Sequence, residues 1–399
     1  MSKESIRAFF PIFRNDERLV YLDNAATTQK PEAVIRRLEQ FYCLENANIH
    51  RGNYPLSLKA SEAYQRSKES VCQWIDAASS EEIAYTKGST EAINLVARGI
   101  EGQIRPEDNV VITELEHSSN YFPWKELCRR TNAQLRIAEV EKNGALQCES
   151  VLRQVDEHTK VLAITGMSNV TGECPDLDRI IAKAHEKGAL VFVDATQLIV
   201  HRKISVQKLD CDFLSFSSHK LYGPMGLGVL YGKRALLAQM EPLLYGGDMV
   251  MRGEKDRIVY KEGCGKFEGG TQNVEAALGF AAALDFLRGH DFEQLLEQER
   301  QLAAYAKEKL QALPFVRVFY SGPASPILLF EVCGMGAYDT GVFLGLRGIA
   351  VRCGSHCAYP LMKRMGVSSV CRASLAVYNT QEDVDRFVQA LIDLNRSGV

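Results

Sequence analysis

Short runs rich in β-branched and apolar residues punctuate the chain at Glu82–Tyr85, Asn109–Ile112, Val161–Ile164, Leu190–Val193, Phe213–Phe216 and Gly228–Tyr231. Helical stretches such as Glu91–Arg98 and Leu177–Lys187 lie between many of them. Nearly continuous apolar strands separated by amphipathic helices predict an α/β fold built on a mostly parallel sheet covered on both faces. Ligands of such sheets bind beyond the carboxyl ends of the strands, so the residues that follow each run carry the functional information.

After Ala276–Gly279 the pattern changes to a charged helical run, Phe292–Leu313, then strand-like Val316–Phe319 and Ile327–Phe330, a helix at Ala337–Gly345 and a final helix at Gln381–Asn395. A large domain over residues 20–285 is expected, with a smaller α+β domain formed by 286–399 and the N-terminal segment 1–19. A chain of 399 residues that is 46% hydrophobic can bury cores of this size.

Composition removes several function classes. The net charge is −3 with signs mixed along the chain, which gives no footprint for nucleic acid. No stretch approaches the roughly 18 apolar residues of a membrane span, and Met1–Phe13 does not read as a signal peptide. Eleven scattered cysteines then point to free thiols in a reducing compartment, with the cytoplasm as the expected location. Cys353, His356 and Cys357 offer three ligands on one short loop where structural zinc wants four, so no metal site is expected.

Two strand ends stand out. Val191–Val193 runs into Asp194, and Phe213–Phe216 is followed by Ser217, Ser218, His219 and Lys220. The pair suits pyridoxal phosphate, whose aldehyde a lysine holds as a Schiff base while a buried aspartate keeps the pyridine nitrogen protonated. Ser89 and Thr90 follow another strand and open a helix, where hydroxyls and free N–H groups cradle a phosphate. Alone this is an ordinary capping box; beside Ser217, His219 and Lys220 the cradle is the better reading. The glycines of Gly223–Gly228 have the wrong order for a dinucleotide fingerprint and precede a strand, which predicts a tight turn. His117 reads equally as a ring delivered to the cofactor and as a hydrogen-bonded loop histidine. Asn169 and Gln197 are amides at further strand ends, apt for the cofactor's phenolic oxygen.

With these residues in view the chain resembles the class V aminotransferase group of pyridoxal phosphate enzymes, and within it the Suf-type cysteine desulfurase and selenocysteine lyase family. The likeness runs from Tyr21–Ala26 to Cys371–Leu375 through Ala47–Gly52, Ser217–Gly223, Glu268–Asn273 and Arg352–Ala358. It implies a PLP-dependent transferase of fold type I, aspartate aminotransferase-like, with the large sheet domain and smaller C-terminal domain already expected.

Carried over residue by residue, the resemblance makes Lys220 the Schiff-base lysine, Asp194 the partner of the ring nitrogen, and His117 the ring stacked on the cofactor. Gln197 and Asn169 fall to the phenolic side. Ser89, Thr90, Ser217 and His219 fall to the phosphate, joined by Thr271 from a second subunit of a homodimer. Arg372 would clamp the substrate carboxylate, with His50 and Arg352 also substrate-binding. Cys357 would attack the sulfur of bound L-cysteine, leaving L-alanine and a persulfide for a small sulfur-acceptor protein in iron–sulfur cluster assembly. His356 beside it either favours the thiolate or is merely its polar neighbour. Cys353 either receives sulfur from Cys357, closes a protective disulfide or is a packed loop thiol; the last is the stronger reading and no role is assigned to it.

Three other readings stand beside this one: a lyase acting on L-selenocysteine, a class V aminotransferase or lyase that does not use Cys357, and a binding partner with feeble catalysis. The chain departs from the Suf-type pattern at Ser118, Ser355, Thr196 and Leu198, which changes polarity around the cofactor and the cysteine. Tyr338 stands where relatives served by a zinc-containing acceptor often have histidine, which favours a zinc-free one.

Overall fold

A computed structural model describes residues 6–254, 257–323 and 325–397. Its large sheet has seven strands, β1 (Ile83–Thr86), β2 (Asn109–Thr113), β3 (Gln134–Ala138), β4 (Thr159–Thr165), β5 (Leu190–Asp194), β6 (Phe213–Ser217) and β7 (Gly228–Gly232), in the order β1-β7-β6-β5-β4-β2-β3. β7 runs antiparallel to both its neighbours and the other pairings are parallel. All six expected runs are strands. β3 was not expected, because a half-buried edge strand that alternates polar and apolar residues carries no continuous apolar signal.

Alternation along each strand feeds two cores. In β5, Val191 and Val193 pack on one face and Phe192 on the other, all buried. Both faces are dry, which is why these strands read as unbroken apolar runs. Each fully buried side chain of this kind contributes on the order of 1.5–3 kcal/mol.

A second sheet, antiparallel, orders Val316–Val318, Ile327–Val332, Val370–Ser374 and Arg352–Gly354 side by side. It shares a core with the helices Phe292–Gln311, Ala337–Gly345 and Gln381–Ser397, through Leu302, Phe330, Leu344, Phe387 and Leu391. The expected boundary at residue 285 falls in the last turn of the helix Val274–Gly289, which packs on the helices Glu32–Gln40 and Pro55–Trp74. Val20–Tyr21 pairs with Ile349–Ala350, and Asp23 bridges to Ser374. This early segment therefore sits against the second sheet and brings Asp23 to the arginines of its strands. No helix among the described residues is long and apolar enough to cross a membrane, and no group of three or more His, Cys, Asp or Glu side chains among them is placed to hold a metal ion.

Candidate active site

The carboxyl ends of the central strands and the second sheet enclose a cleft of about 570 Å³. It gathers Ser89, Thr90, His117, Asn169, Asp194, Gln197, Ser217, His219, Lys220, Arg352, Cys357 and Arg372 from segments far apart in the chain.

Asp194 ends β5, buried, and accepts hydrogen bonds from the Thr196 N–H (3.0 Å) and the Thr196 hydroxyl. The departure at Thr196 thus orients the aspartate. Lys220 closes a short 3₁₀ turn, Ser218–Lys220, after β6. That turn is fixed from beneath, because the His219 carbonyl accepts from Thr27 Oγ1 (3.1 Å), Thr28 Oγ1 (3.2 Å) and Lys30 Nζ (2.8 Å). Burial, and then the nearby Arg372 charge, pull the Lys220 amine down from 10.5 to about 8, with Asp194 opposing. An amine in that range holds and releases a proton near neutrality.

His117 caps the helix Ser118–Thr131, its Nδ1 accepting the Ser119 N–H at 3.1 Å. The neutral ring therefore carries its proton on Nε2, and burial with the Lys220 charge lowers its pKa. Gln197 Nε2 donates one hydrogen to the Ala25 carbonyl (2.8 Å), leaving the other. Asn169 Nδ2 donates to the His356 carbonyl (2.9 Å), and its Oδ1 is buried without a protein partner.

At the far end, the helix Ser89–Gly99 points its N-terminus at the cleft. The Ser89 N–H donates to Ser217 Oγ (2.9 Å), and the Thr90 and Ser119 hydroxyls meet at 2.7 Å. The residue before this helix and the first residue of β7 approach closely because both are glycine, since a Cβ on Gly228 would lie 2.4 Å from the Gly88 Cα. His219 Nδ1 is buried and unpaired, and burial with the charges of Lys220 and Lys30 pushes the ring down to about 4, so it is neutral.

Arg372 is 2% exposed. Its Nη1 donates to the Asn169 carbonyl (2.7 Å) and its Nη2 reaches Asp23 only at 3.4 Å, while Nε has no protein partner. Nε is thus a buried donor left for a ligand, and burial lowers the guanidinium pKa to about 10. Arg352 clasps the same Asp23 carboxylate with Nε (3.1 and 3.2 Å) and Nη2 (2.9 Å). Asp23 had no place in the sequence reading, although it lies within Tyr21–Ala26; only the pairing with strands some 330 residues later reveals it.

Cys357 is exposed, in a loop where Gly354, His356 and Cys357 have φ of 130°, 52° and 55°. Left-handed non-glycine residues cost on the order of 1 kcal/mol each, so something must hold them. The Cys357 carbonyl accepts from the Ser118 N–H (2.7 Å) and the Ser118 hydroxyl (2.8 Å), while Asn169 holds the His356 carbonyl. Ser118, a departure from the Suf-type pattern, is therefore a clamp on the cysteine loop. His356 is 7% exposed, with Nε2 on the Val370 carbonyl at 3.2 Å; burial and Arg372 push it down to about 3. It is neutral and supplies no positive charge to Cys357, which favours the reading of a polar neighbour.

Two expected residues lie outside the cleft of this one chain. The His50 N–H donates to Ser61 Oγ (2.9 Å), with its ring edge-on to Tyr64. Thr271 lines a separate pocket of about 240 Å³ together with Thr86, Lys87, Glu91 and Gly226.

The pattern of the family described as Aminotransferase class-V matches residues 20–387. The chain is 42% identical to a cysteine desulfurase of Pectobacterium atrosepticum, covering 98% of both chains. It is 40% identical to a probable cysteine desulfurase of Halalkalibacterium halodurans, covering 98% of this chain and 97% of that one. Among solved structures, it superposes on the cysteine desulfurase CsdA (S-sulfonic acid) from Escherichia coli with a TM-score of 0.91 at 38% identity, over 97% of this chain and 98% of that one. It superposes on the apo cysteine desulfurase of Thermococcus onnurineus NA1 with a TM-score of 0.93 at 31% identity, over 98% of each.

Proposed function

We propose, for a chain that belongs to the class V aminotransferase family and is a cysteine desulfurase, that the cleft binds pyridoxal phosphate and that its residues divide the work as follows. The unpaired Asn169 Oδ1 and His219 Nδ1, the hydroxyls at the Ser89–Gly99 N-terminus and the Asp194 carboxylate fit a phosphorylated, hydroxylated pyridine. Asp194 would hold the ring nitrogen, His117 the ring face, Gln197 and Asn169 the phenolic side, and Ser89, Thr90, Ser217 and His219 the phosphate, with Lys220 as the anchoring amine. When bound, the cofactor supplies an electron sink for charge at the substrate α-carbon.

The unpartnered Nε side of Arg372 takes the carboxylate of L-cysteine as a planar, charge-assisted pair. Lys220 Nζ, titrating near neutrality, receives the α-proton. The Cys357 thiolate attacks the substrate sulfur, so an S–S bond forms as the substrate Cβ–S bond breaks and its electron pair stays with the carbon fragment that becomes L-alanine. One observation carries this reading: an exposed thiol lines the same cleft as a half-buried amine of lowered pKa and a buried guanidinium whose Nε has no protein partner.

Sulfur leaves Cys357 for a small acceptor protein, which the loop's exposure supports. The helix Ala337–Gly345, packed on the Arg352–Gly354 strand, also exposes Tyr338 (75%) and Leu346 (82%) follows it. Delivery into iron–sulfur cluster assembly extends the same reading. Thr271 belongs to the phosphate site of a second copy, and Thr271→Ala with unchanged cofactor affinity would remove that shared site. A selenocysteine lyase would use the same groups, and relative turnover of L-cysteine and L-selenocysteine separates the two.

The central test incubates the holoenzyme with L-cysteine while following alanine and the mass of the Cys357 peptide. Persulfide on Cys357 and its loss in Cys357→Ser are expected; alanine formed without that persulfide overturns the mechanism.

A further inference from the structure

Cys353 is not an isolated loop thiol. It lies directly opposite Cys371 in the antiparallel register of Arg352–Gly354 against Val370–Ser374, with the two Sγ atoms 3.6 Å apart. Directly opposed residues in such a ladder have Cα separations of about 4.5–5.5 Å, inside the range of about 4.4–6.8 Å that a disulfide spans. Opposed thiols in a packed sheet are by themselves ordinary packing. Here the two members differ: Cys353 lines the cleft that contains Cys357, and Cys371 is 0% exposed behind it. Cys357 stands four positions after Cys353, with positive φ at Gly354, His356 and Cys357 and a turn closed by the Ala358 N–H on the Ser355 carbonyl (3.1 Å).

We propose that Cys353 and Cys371 form a sulfur-receiving dithiol, in which Cys353 takes the outer sulfur of a persulfide on Cys357 and Cys371 then expels that sulfur as hydrogen sulfide. The inference rests on the persulfide of the proposed function. In the first step the Cys353 thiolate attacks the outer sulfur of Cys357–S–SH; a new S–S bond forms on Cys353, the old one breaks, and Cys357 departs as thiolate. In the second step Cys371, giving up its proton, attacks Cys353 Sγ and HS⁻ leaves. Two thiols lose two electrons and the transferred sulfur gains them, so no outside oxidant enters. Reopening the bridge calls for a dithiol reductant, and until one arrives each chain discharges once.

The electrostatics agree with this order of attack. Contact with Cys371 lowers the Cys353 thiol below its ordinary pKa, while the same contact and burial push Cys371 up, its one proton resting on the Ala337 carbonyl (3.4 Å). Cys353 is thus the readier nucleophile and Cys371 the protonated, resolving partner.

The test uses reduced holoenzyme freed of reductant, given about one equivalent of L-cysteine per chain without an acceptor, so that no excess substrate thiol reduces the persulfide or the bridge. Expected is a burst of about one equivalent of sulfide per chain, a Cys353–Cys371 peptide pair lighter by two hydrogens, and, in Cys371→Ser, Cys353 heavier by one sulfur. A Cys357 persulfide that forms while Cys353 and Cys371 stay free thiols in the wild-type enzyme overturns this inference alone, whatever the variant's folding. Absence of any Cys357 persulfide overturns the proposed function and, with it, the source of the sulfur.

Discussion

Lys220 costs the fold stability, and that cost is measurable in the cofactor-free protein. The amine titrates at about 8 in the folded chain against 10.5 when free. That difference of about 2.5, at about 1.4 kcal/mol for each pH unit, is about 3.5 kcal/mol; water reaching the half-buried side chain reduces this to roughly 2–3 kcal/mol. The sign follows from proton counting. Below pH 8 both folded and unfolded chains carry the ammonium, and the whole burial cost is present. Between about 8 and 10.5 the unfolded chain keeps a proton that the folded chain has shed, so stability rises with pH; above that range both are neutral and the cost is gone. Lys220→Met should therefore stabilise the cofactor-free protein by roughly 2–3 kcal/mol near pH 7, with the gain fading through pH 8–10. Urea unfolding of wild type and variant across that range reads it directly. Because the Arg372 charge is the second cause of the shift, the gain should shrink in an Arg372→Met background. A variant no more stable than wild type near pH 7, or a gain independent of pH, would refute the assignment of Lys220 as a desolvated amine.

Arg372→Lys exchanges a guanidinium whose Nε has no protein partner for a point charge and strips the Asn169 carbonyl of its 2.7 Å partner; kcat/KM for L-cysteine should fall on the order of a hundredfold, mainly through KM, and a loss under about threefold would contradict the clamp. Gly228→Ala places a Cβ 2.4 Å from the Gly88 Cα, so Tm should drop by the equivalent of about 2–3 kcal/mol and pyridoxal phosphate should be retained less tightly, whereas an unchanged Tm would mean the approach is not close. Ser118→Ala removes the 2.8 Å hydroxyl bond to the Cys357 carbonyl but keeps the N–H bond. A loss of about 1 kcal/mol should loosen the loop and speed Cys357 alkylation roughly fivefold, and an unaltered rate would deny Ser118 the role of clamp.

Much of the architecture was legible because it is local. Period-two burial writes an apolar run wherever both faces of a strand are covered, and strand ends mark where ligands bind, so Asp194, Lys220 and the Ser89–Thr90 helix start could be picked out without a structure. β3 escaped because an edge strand lacks that signature, and the boundary near 285 was blurred because the helix Val274–Gly289 runs through it.

The sequence by itself determined which chemical groups stand at the strand ends and that a cysteine lies downstream of them, since residue type and strand period need no knowledge of partners. Only the tertiary structure decided what each group faces. Asp23 meets Arg352 and Arg372, Ser118 closes on the Cys357 carbonyl, His356 turns inward as a neutral ring, and Cys353 finds Cys371 across a ladder. These contacts depend on register between segments up to some 349 residues apart, and burial within them, more than residue identity, sets the charge each group carries.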